Sequence, residues 1–158
     1  MQKILFPGSF DPPTKAHIDI IQRLVALNYE VYIGVLNNNA KIYYFPIKNR
    51  VQILELEIKA LKNCQVITAN ELLINVCQQY NITVIARGLR NMQDYEYEKI
   101  MEVNNKILSN KLEYIYLNTK PKYQHISSSV VKELLKYDND ISHLVGKKTN
   151  KYILSLQK

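Results

Sequence analysis

Residues 7–17 read PGSFDPPTKAH. Gly8 allows a tight turn without a side chain, and Pro12 and Pro13 stop the preceding strand and fix the loop. Thr14 is placed to cap a helix whose first turn carries His17. A helix start offers free N–H groups and a partial positive charge, and so attracts anions. His17 can add a donor there, and its spacing from Thr14, one helical turn, points both side chains at the same ligand. A lone helical histidine is more often merely satisfied or solvated. Here the glycine, the prolines and the strand–turn–helix context favour an anion site.

Three further segments carry the same kind of chemistry. Lys41 ends a polar loop containing Asn37, Asn38 and Asn39, where a mobile ammonium can reach a phosphate. Residues 87–98 read RGLRNMQDYEYE, in which Arg87 and Arg90 bracket Gly88 at a strand-to-helix turn. Guanidinium groups are planar forks suited to phosphate oxygens. Asp94 and Glu96 fall in the first turns of the next helix, where carboxylates complement the helix dipole, and Glu98 follows. Residues 123–134 read YQHISSSVVKEL. Capping accounts for one of the three serines; the others can turn hydroxyls and N–H groups toward a phosphate. The chain has four glycines, and the two within these segments, Gly8 and Gly88, suggest close approach of the backbone to a ligand. No GxxxxGK[ST] or GxGxxG segment is present, which argues against a P-loop kinase and a dinucleotide dehydrogenase. No cysteine–histidine spacing suggests a metal site, so no metal-ligating residues are expected.

The elements that must position these groups follow from periodicity. Short apolar runs at 3–6, 31–36, 65–68, 82–86 and 113–117 read as strands, and helical spacing occupies 14–28, 47–62, 70–80, 92–109, 128–136 and 149–156. Strands separated by helices imply crossover connections and a parallel sheet covered on both faces. The expected fold is an α/β, doubly wound (Rossmann-like) five-stranded parallel sheet with helices on both faces, forming one domain over residues 1–158. In such sheets ligands bind beyond the carboxyl ends of the strands, where strand order reverses. The motifs should therefore follow strands, mainly the two flanking that point.

Composition fits this reading. A chain of 158 residues with 47% hydrophobic and 22% charged residues is ordinary for a globular domain. Cys64 and Cys77 sit in apolar segments and read as small buried hydrophobes in a reducing compartment. No secretory signal is recognisable at the start, and no apolar run nears the roughly 18 residues a membrane span needs. A cytoplasmic protein is expected, with no membrane partner. The net charge of +7 favours anionic ligands. Lys147, Lys148, Lys151 and Lys158 are expected on a solvated helix face, and the remaining basic motif residues converge on a small pocket, so no nucleic-acid partner is expected.

From Met1 to about His143 the chain resembles the bacterial phosphopantetheine adenylyltransferases. The likeness rests on PGSFDP, the T-x-x-H element, Lys41 with Phe45 and Arg50, RGLR, DYEYE and ISSS, in that order. It implies transfer of the adenylyl group of ATP to 4′-phosphopantetheine, giving dephospho-coenzyme A and pyrophosphate. It implies that His17, with Lys41 and Arg90, serves catalysis at the α-phosphorus. Ser9, Lys41, Leu73 and Arg87 would bind phosphopantetheine. Ser9, Phe10, His17, Gly88, Leu89, Arg90 and Glu98, with Tyr123, Gln124, His125, Ile126, Ser127, Ser128 and Ser129, would bind ATP. Mg²⁺ would accompany the nucleotide, and the assembly would be a homo-hexamer. Ala16 stands where the signature usually has Gly, Ser9 where Thr is common, Tyr123 and His125 where some members have Trp and Phe. Pro46, expected at a first helical position, and Asn49 replace a usual capping pair. Three other readings are weighed against this one. They are a related nucleotidyltransferase with another phosphorylated acceptor such as nicotinamide mononucleotide, a non-catalytic nucleotide sensor, and a nucleic-acid binder suggested by charge alone.

Overall fold

The computed structural model describes residues 1–38 and 40–157, with Ala69 described in its backbone only. Asn39 and Lys158, expected in a loop and on a helix face, lie outside the described residues. The strands are β1 (Gln2–Gly8), β2 (Tyr29–Leu36), β3 (Cys64–Ala69), β4 (Val84–Leu89) and β5 (Glu113–Asn118). The helices are α1 (Lys15–Ala26), α2 (Ile47–Ile58), α3 (Leu73–Tyr80), α4 (Met92–Leu108), α5 (Ser128–Lys136) and α6 (Lys147–Leu156), with a single 3-10 turn at Pro121–Tyr123. All strand pairs are parallel and the order is β3-β2-β1-β4-β5. This is the doubly wound sheet expected from the sequence.

Alternation along the strands sends side chains to two cores. Ile4, Phe6, Val31, Ile33 and Val35 pack with Ile20, Ile21 and Leu24 of α1 and Leu54 and Ile58 of α2. On the other face Leu5, Tyr32, Ile67 and Ile85 meet Val76 and Cys77 of α3. A third cluster joins α2, α5 and α6 through Ile53, Val131, Leu135 and Ile153, and reaches Ala16 and Ile126. There Glu57 of α2 accepts bonds from the backbone N–H and hydroxyl of Thr149 at 2.9 and 2.7 Å. Lys148 is exposed, as expected, and donates its ammonium to the Leu56 carbonyl at 2.7 Å. No described helix is long and apolar enough to cross a membrane.

The reversal of strand order falls between β1 and β4. These two strands pair only at Ile4 with Val84 and Leu5 with Ile85. Beyond that point β1 continues alongside β2 as far as Gly8, and β4 continues alongside β5 as far as Leu89. The sheet therefore parts at its carboxyl edge, and the gap is the crevice into which the motifs project.

Three local expectations are corrected. Arg87, Gly88 and Leu89 belong to β4 rather than to a turn, because β5 offers paired backbone as far as Asn118. Neither Gly8 nor Gly88 has positive φ, so neither serves a tight turn. A Cβ on Gly8 would lie 3.1 Å from the Phe10 ring, and one on Gly88 would lie 3.3 Å from Ile20 Cγ1. The missing side chains let protein groups close in, and both glycines also line the cavities at the strand ends. Pro46 is the N-cap of α2, with ψ 151, and not its first helical residue. The left-handed residue of the first loop is Phe10, with φ 48.

Candidate active site

Two cavities open on the parted edge. One, of about 310 Å³, lies over the first turns of α1 and α5. The other, of about 720 Å³, lies between the loop after β2, the start of α3 and the inner side of α4. They share Pro7, Gly8, Ser9, Arg87 and Glu98 as a common wall.

The smaller cavity is built around α1. Thr14 is the N-cap, and its backbone N–H donates to Nδ1 of His17 at 3.0 Å. The Thr14 hydroxyl lies 3.0 Å from the same nitrogen. Accepting the N–H fixes the neutral tautomer: Nδ1 carries the lone pair and Nε2 carries the proton. Burial pushes the pKa of His17 down to about 4, and the positive charges of Arg90 and Arg87 add to the shift. The imidazole is therefore an uncharged N–H donor at neutral pH. Phe10 backs it edge-on, with ring centroids 5.1 Å apart.

The two arginines are held by carboxylates of α4. Arg87 donates to the Pro7 carbonyl and to Glu98. Arg90 donates through its backbone N–H and Nε to Asp94 Oδ2 at 2.9 and 3.0 Å, and through Nη2 to Oδ1 at 3.2 Å. Asp94 thus does more than complement the helix dipole. The signal was the four-residue spacing from Arg90. At the other rim Ser127 caps α5 by accepting from Val130 N–H at 3.2 Å. Ser128 donates its hydroxyl to the Pro12 carbonyl at 2.8 Å, tying α5 to the first loop. Ser129 lines the cavity as well.

The structure thus brings Ser9, Phe10, His17, Gly88, Arg90, Glu98, Ile126, Ser127, Ser128 and Ser129 to the smaller cavity. It brings Ser9, Lys41, Leu73, Arg87 and Glu98 to the larger one, with apolar Leu72 and Met101 and the phenols Tyr97 and Tyr114. Leu89, Tyr123, Gln124 and His125 do not line either. Leu89 is engaged through its carbonyl with Thr119 N–H at 2.8 Å, and the Tyr123 ring packs on the third core cluster. Ala16 is buried against that cluster and adds its methyl to the smaller cavity.

Arg50 and Asp11 organise the site from behind. Arg50, on α2, has no solvent exposure. Its guanidinium donates to the carbonyls of Phe45 at 3.1 Å and Ser9 at 2.7 Å and to Asn37 Oδ1 at 3.0 Å, and lies 3.9 Å from the centre of the Tyr43 ring. Asp11 accepts the N–H groups of Tyr44 and Phe45, each at 2.8 Å. One cation and one carboxylate thereby lock the loop after β1 to the loop after β2, so that Ser9 and Lys41 face a common space.

A family model described as cytidylyltransferase-like matches residues 5–134. The phosphopantetheine adenylyltransferase of Streptococcus gordonii is 43% identical over 142 residues, covering 89% of this chain and 87% of that protein. That of Helicobacter acinonychis is 39% identical over 154 residues, covering 97% and 98%. The chain belongs to the phosphopantetheine adenylyltransferase family. Among solved structures, a Plasmodium falciparum nicotinic acid mononucleotide adenylyltransferase complexed with NaAD superposes with a TM-score of 0.71 at 19% identity, covering 99% of this chain and 97% of that one. At that identity the likeness concerns the fold alone.

Proposed function

We infer that this chain transfers the adenylyl group of ATP to 4′-phosphopantetheine, giving dephospho-coenzyme A and pyrophosphate, in the cytoplasm. The observation that carries the reading is the common wall of Pro7, Gly8, Ser9, Arg87 and Glu98 between the two cavities. A triphosphate in the smaller cavity and an acceptor phosphate at the end of the larger one would meet at Ser9.

The smaller cavity suits the nucleotide, with two helix starts, Arg90 and the serines to receive phosphate oxygens. The larger suits the acceptor, with Lys41 and Arg87 for its phosphate and Leu73 and Met101 along an uncharged arm. An acceptor phosphate oxygen attacks the α-phosphorus. A new P–O bond forms there as the bond to the bridging oxygen breaks, and its electron pair leaves with pyrophosphate. The acceptor is already anionic at neutral pH, so no general base is needed. The protein's work is alignment and stabilisation of the five-coordinate phosphorus. His17 donates from Nε2 to the α-phosphate oxygens as their charge grows. The arginines hold the flanking phosphates, and the α5 start receives the pyrophosphate end.

Asp94 and Glu98 border the nucleotide cavity and are each engaged by an arginine. Mg²⁺ therefore fits best as an ion carried on the triphosphate oxygens with its own waters, where it would neutralise charge on the leaving group. A self-associating protein, as the resemblance implies with a homo-hexamer, accords with α4. Its inner side buries Glu98 and Glu102, while Met92, Ile100, Val103, Ile107 and Leu108 stand exposed, an apolar face of the kind that marks interaction surfaces. Light scattering of the purified protein would report the assembly.

Pyrophosphate release from Mg·ATP, measured without acceptor, with pantetheine and with 4′-phosphopantetheine, tests the reaction. Release only with the phosphorylated acceptor is expected. Equal rates with pantetheine would overturn the assignment, and ATP binding without any release would mark a nucleotide sensor instead.

A further inference from the structure

The nucleotide cavity changes character across the sheet. Near β1 it is lined by Ser9, His17 and Arg87; towards β5 it is lined by Ile20, Gly88, Thr119 and Ile126. Ile20 and Ile126 are each 2% exposed. The first set suits phosphates and the second suits the flat apolar faces of a base. Within that second set Thr119 is the one residue with a polar side chain.

Thr119 is 4% exposed, yet its hydroxyl makes no hydrogen bond to any described residue. Among the described residues no fully enclosed side-chain polar atom lacks a partner, so the hydroxyl is open to the cavity that Thr119 lines. Its backbone is held by two hydrogen bonds, and the side chain of the next residue is held by an ion pair. The Thr119 N–H donates to the Leu89 carbonyl at 2.8 Å. Before it, the Asn118 carbonyl accepts from Arg23 Nη1 at 2.8 Å. After it, Lys120 Nζ lies 2.6 Å from Asp19 Oδ1. A hydroxyl open to a cavity is free to hydrogen-bond a ligand there. This one sits on fixed backbone, facing a cavity, at the end where a base would lie.

We propose that Thr119 is a specificity-determining residue whose hydroxyl hydrogen-bonds an edge of the nucleobase. The proposal rests on the reading of this cavity as the nucleotide site. A hydroxyl both donates and accepts, so it can serve either N7 or the exocyclic amino group, the two polar groups on one edge of adenine.

The test compares the wild type with Thr119→Val, which keeps the shape and removes the hydroxyl, and with Thr119→Ser, which keeps the hydroxyl. Calorimetric affinity for ATP, for 7-deaza-ATP and for purine riboside triphosphate, which lacks the 6-amino group, is measured on each, with the melting temperature as a check on folding. A neutral hydrogen bond corresponds to roughly a three- to tenfold change in affinity. Thr119→Val is expected to weaken ATP by that factor while leaving unchanged the analogue that lacks the contacted group, and Thr119→Ser to bind ATP like the wild type. Unchanged ATP affinity in Thr119→Val, or equal losses for all three nucleotides, would overturn the proposal. If the wild type binds none of the three, the nucleotide reading falls and the proposal with it. If the wild type binds ATP but releases no pyrophosphate with 4′-phosphopantetheine, only the acceptor assignment fails.

Discussion

His17 has two jobs on two nitrogens, and substitution can separate them. Nδ1 accepts the Thr14 N–H at 3.0 Å and so closes the start of α1. Nε2–H faces the cavity. His17→Ala removes both. Loss of a helix cap costs about 1 kcal/mol, which for a domain of this size lowers the melting temperature by roughly 2–4 °C. Loss of a preorganised donor at a developing oxyanion costs about 2.7–4 kcal/mol, or 10²–10³ in kcat. The lower end is expected here, because the imidazole is neutral and Arg87 and Arg90 remain. His17→Gln discriminates between the two jobs. A glutamine at the third helical position can reach back to the cap N–H, as in the ordinary capping box, but it does not reproduce Nε2–H. It should melt close to the wild type and still turn over about a hundredfold more slowly. Steady-state pyrophosphate release and thermal melts on both variants suffice. A His17→Ala enzyme with near-normal kcat and only a raised KM for ATP would assign His17 to ground-state binding and refute the argument. A His17→Gln protein as unstable as His17→Ala would refute the capping half.

Other expectations follow from the same geometry. Lys41→Ala and Arg87→Ala should weaken 4′-phosphopantetheine more than ATP, and Arg90→Ala the reverse; calorimetric titration of each ligand reads this, and similar losses for both ligands in all three variants would contradict the division of the cavities. Ala16 fills space between the nucleotide cavity and the third core cluster, so Ala16→Gly should melt lower by up to about 1 kcal/mol of stability, with kcat within a few-fold and KM for ATP equal or lower. The pKa of His17 is depressed to about 4, below the ordinary value near 6.5. The unfolded chain therefore takes up a proton between those values that the folded protein refuses. The contribution is full above about pH 6.5 and is lost as pH falls through about 4; NMR titration of the His17 ring should show no midpoint near 6.5, and one there would remove the basis for a neutral donor.

The sheet was legible in the sequence because its strands are short apolar runs with helical spacing between them, a pattern with few alternative folds. The candidate site was legible for a related reason: PGSFDP, RGLR and ISSS each sit in one stretch, and each reaches the cavity at the strand ends. What periodicity could not reveal was tertiary. The pairing of β4 with β5 that draws Arg87 and Gly88 into a strand depends on a partner 29 residues away, as in the Gly88–Leu117 pair. The roles of Gly8 and Gly88 depend on the Phe10 ring and on Ile20, which no local pattern announces. Arg50 carries part of the resemblance with Lys41 and Phe45, but its clamp on both loops appears only once α2 packs against them. The clamp of Asp94 on Arg90 was within reach, since the spacing was visible, but an unfavourable local alternative was lacking to single it out. Thr119 gave no signal at all, because its interest lies in the hydrogen bond it does not make within the protein.

The parting of β1 from β4 after two residue pairs has an evolutionary consequence. The crevice is a product of strand order and backbone pairing, and no particular side chain is required to open it. Sequence drift can therefore rewrite the walls while the opening stays in place. That accords with a fold held in common with another solved structure at 19% identity. A lineage that keeps the two paired positions keeps the opening between the strands, whatever residues come to line it.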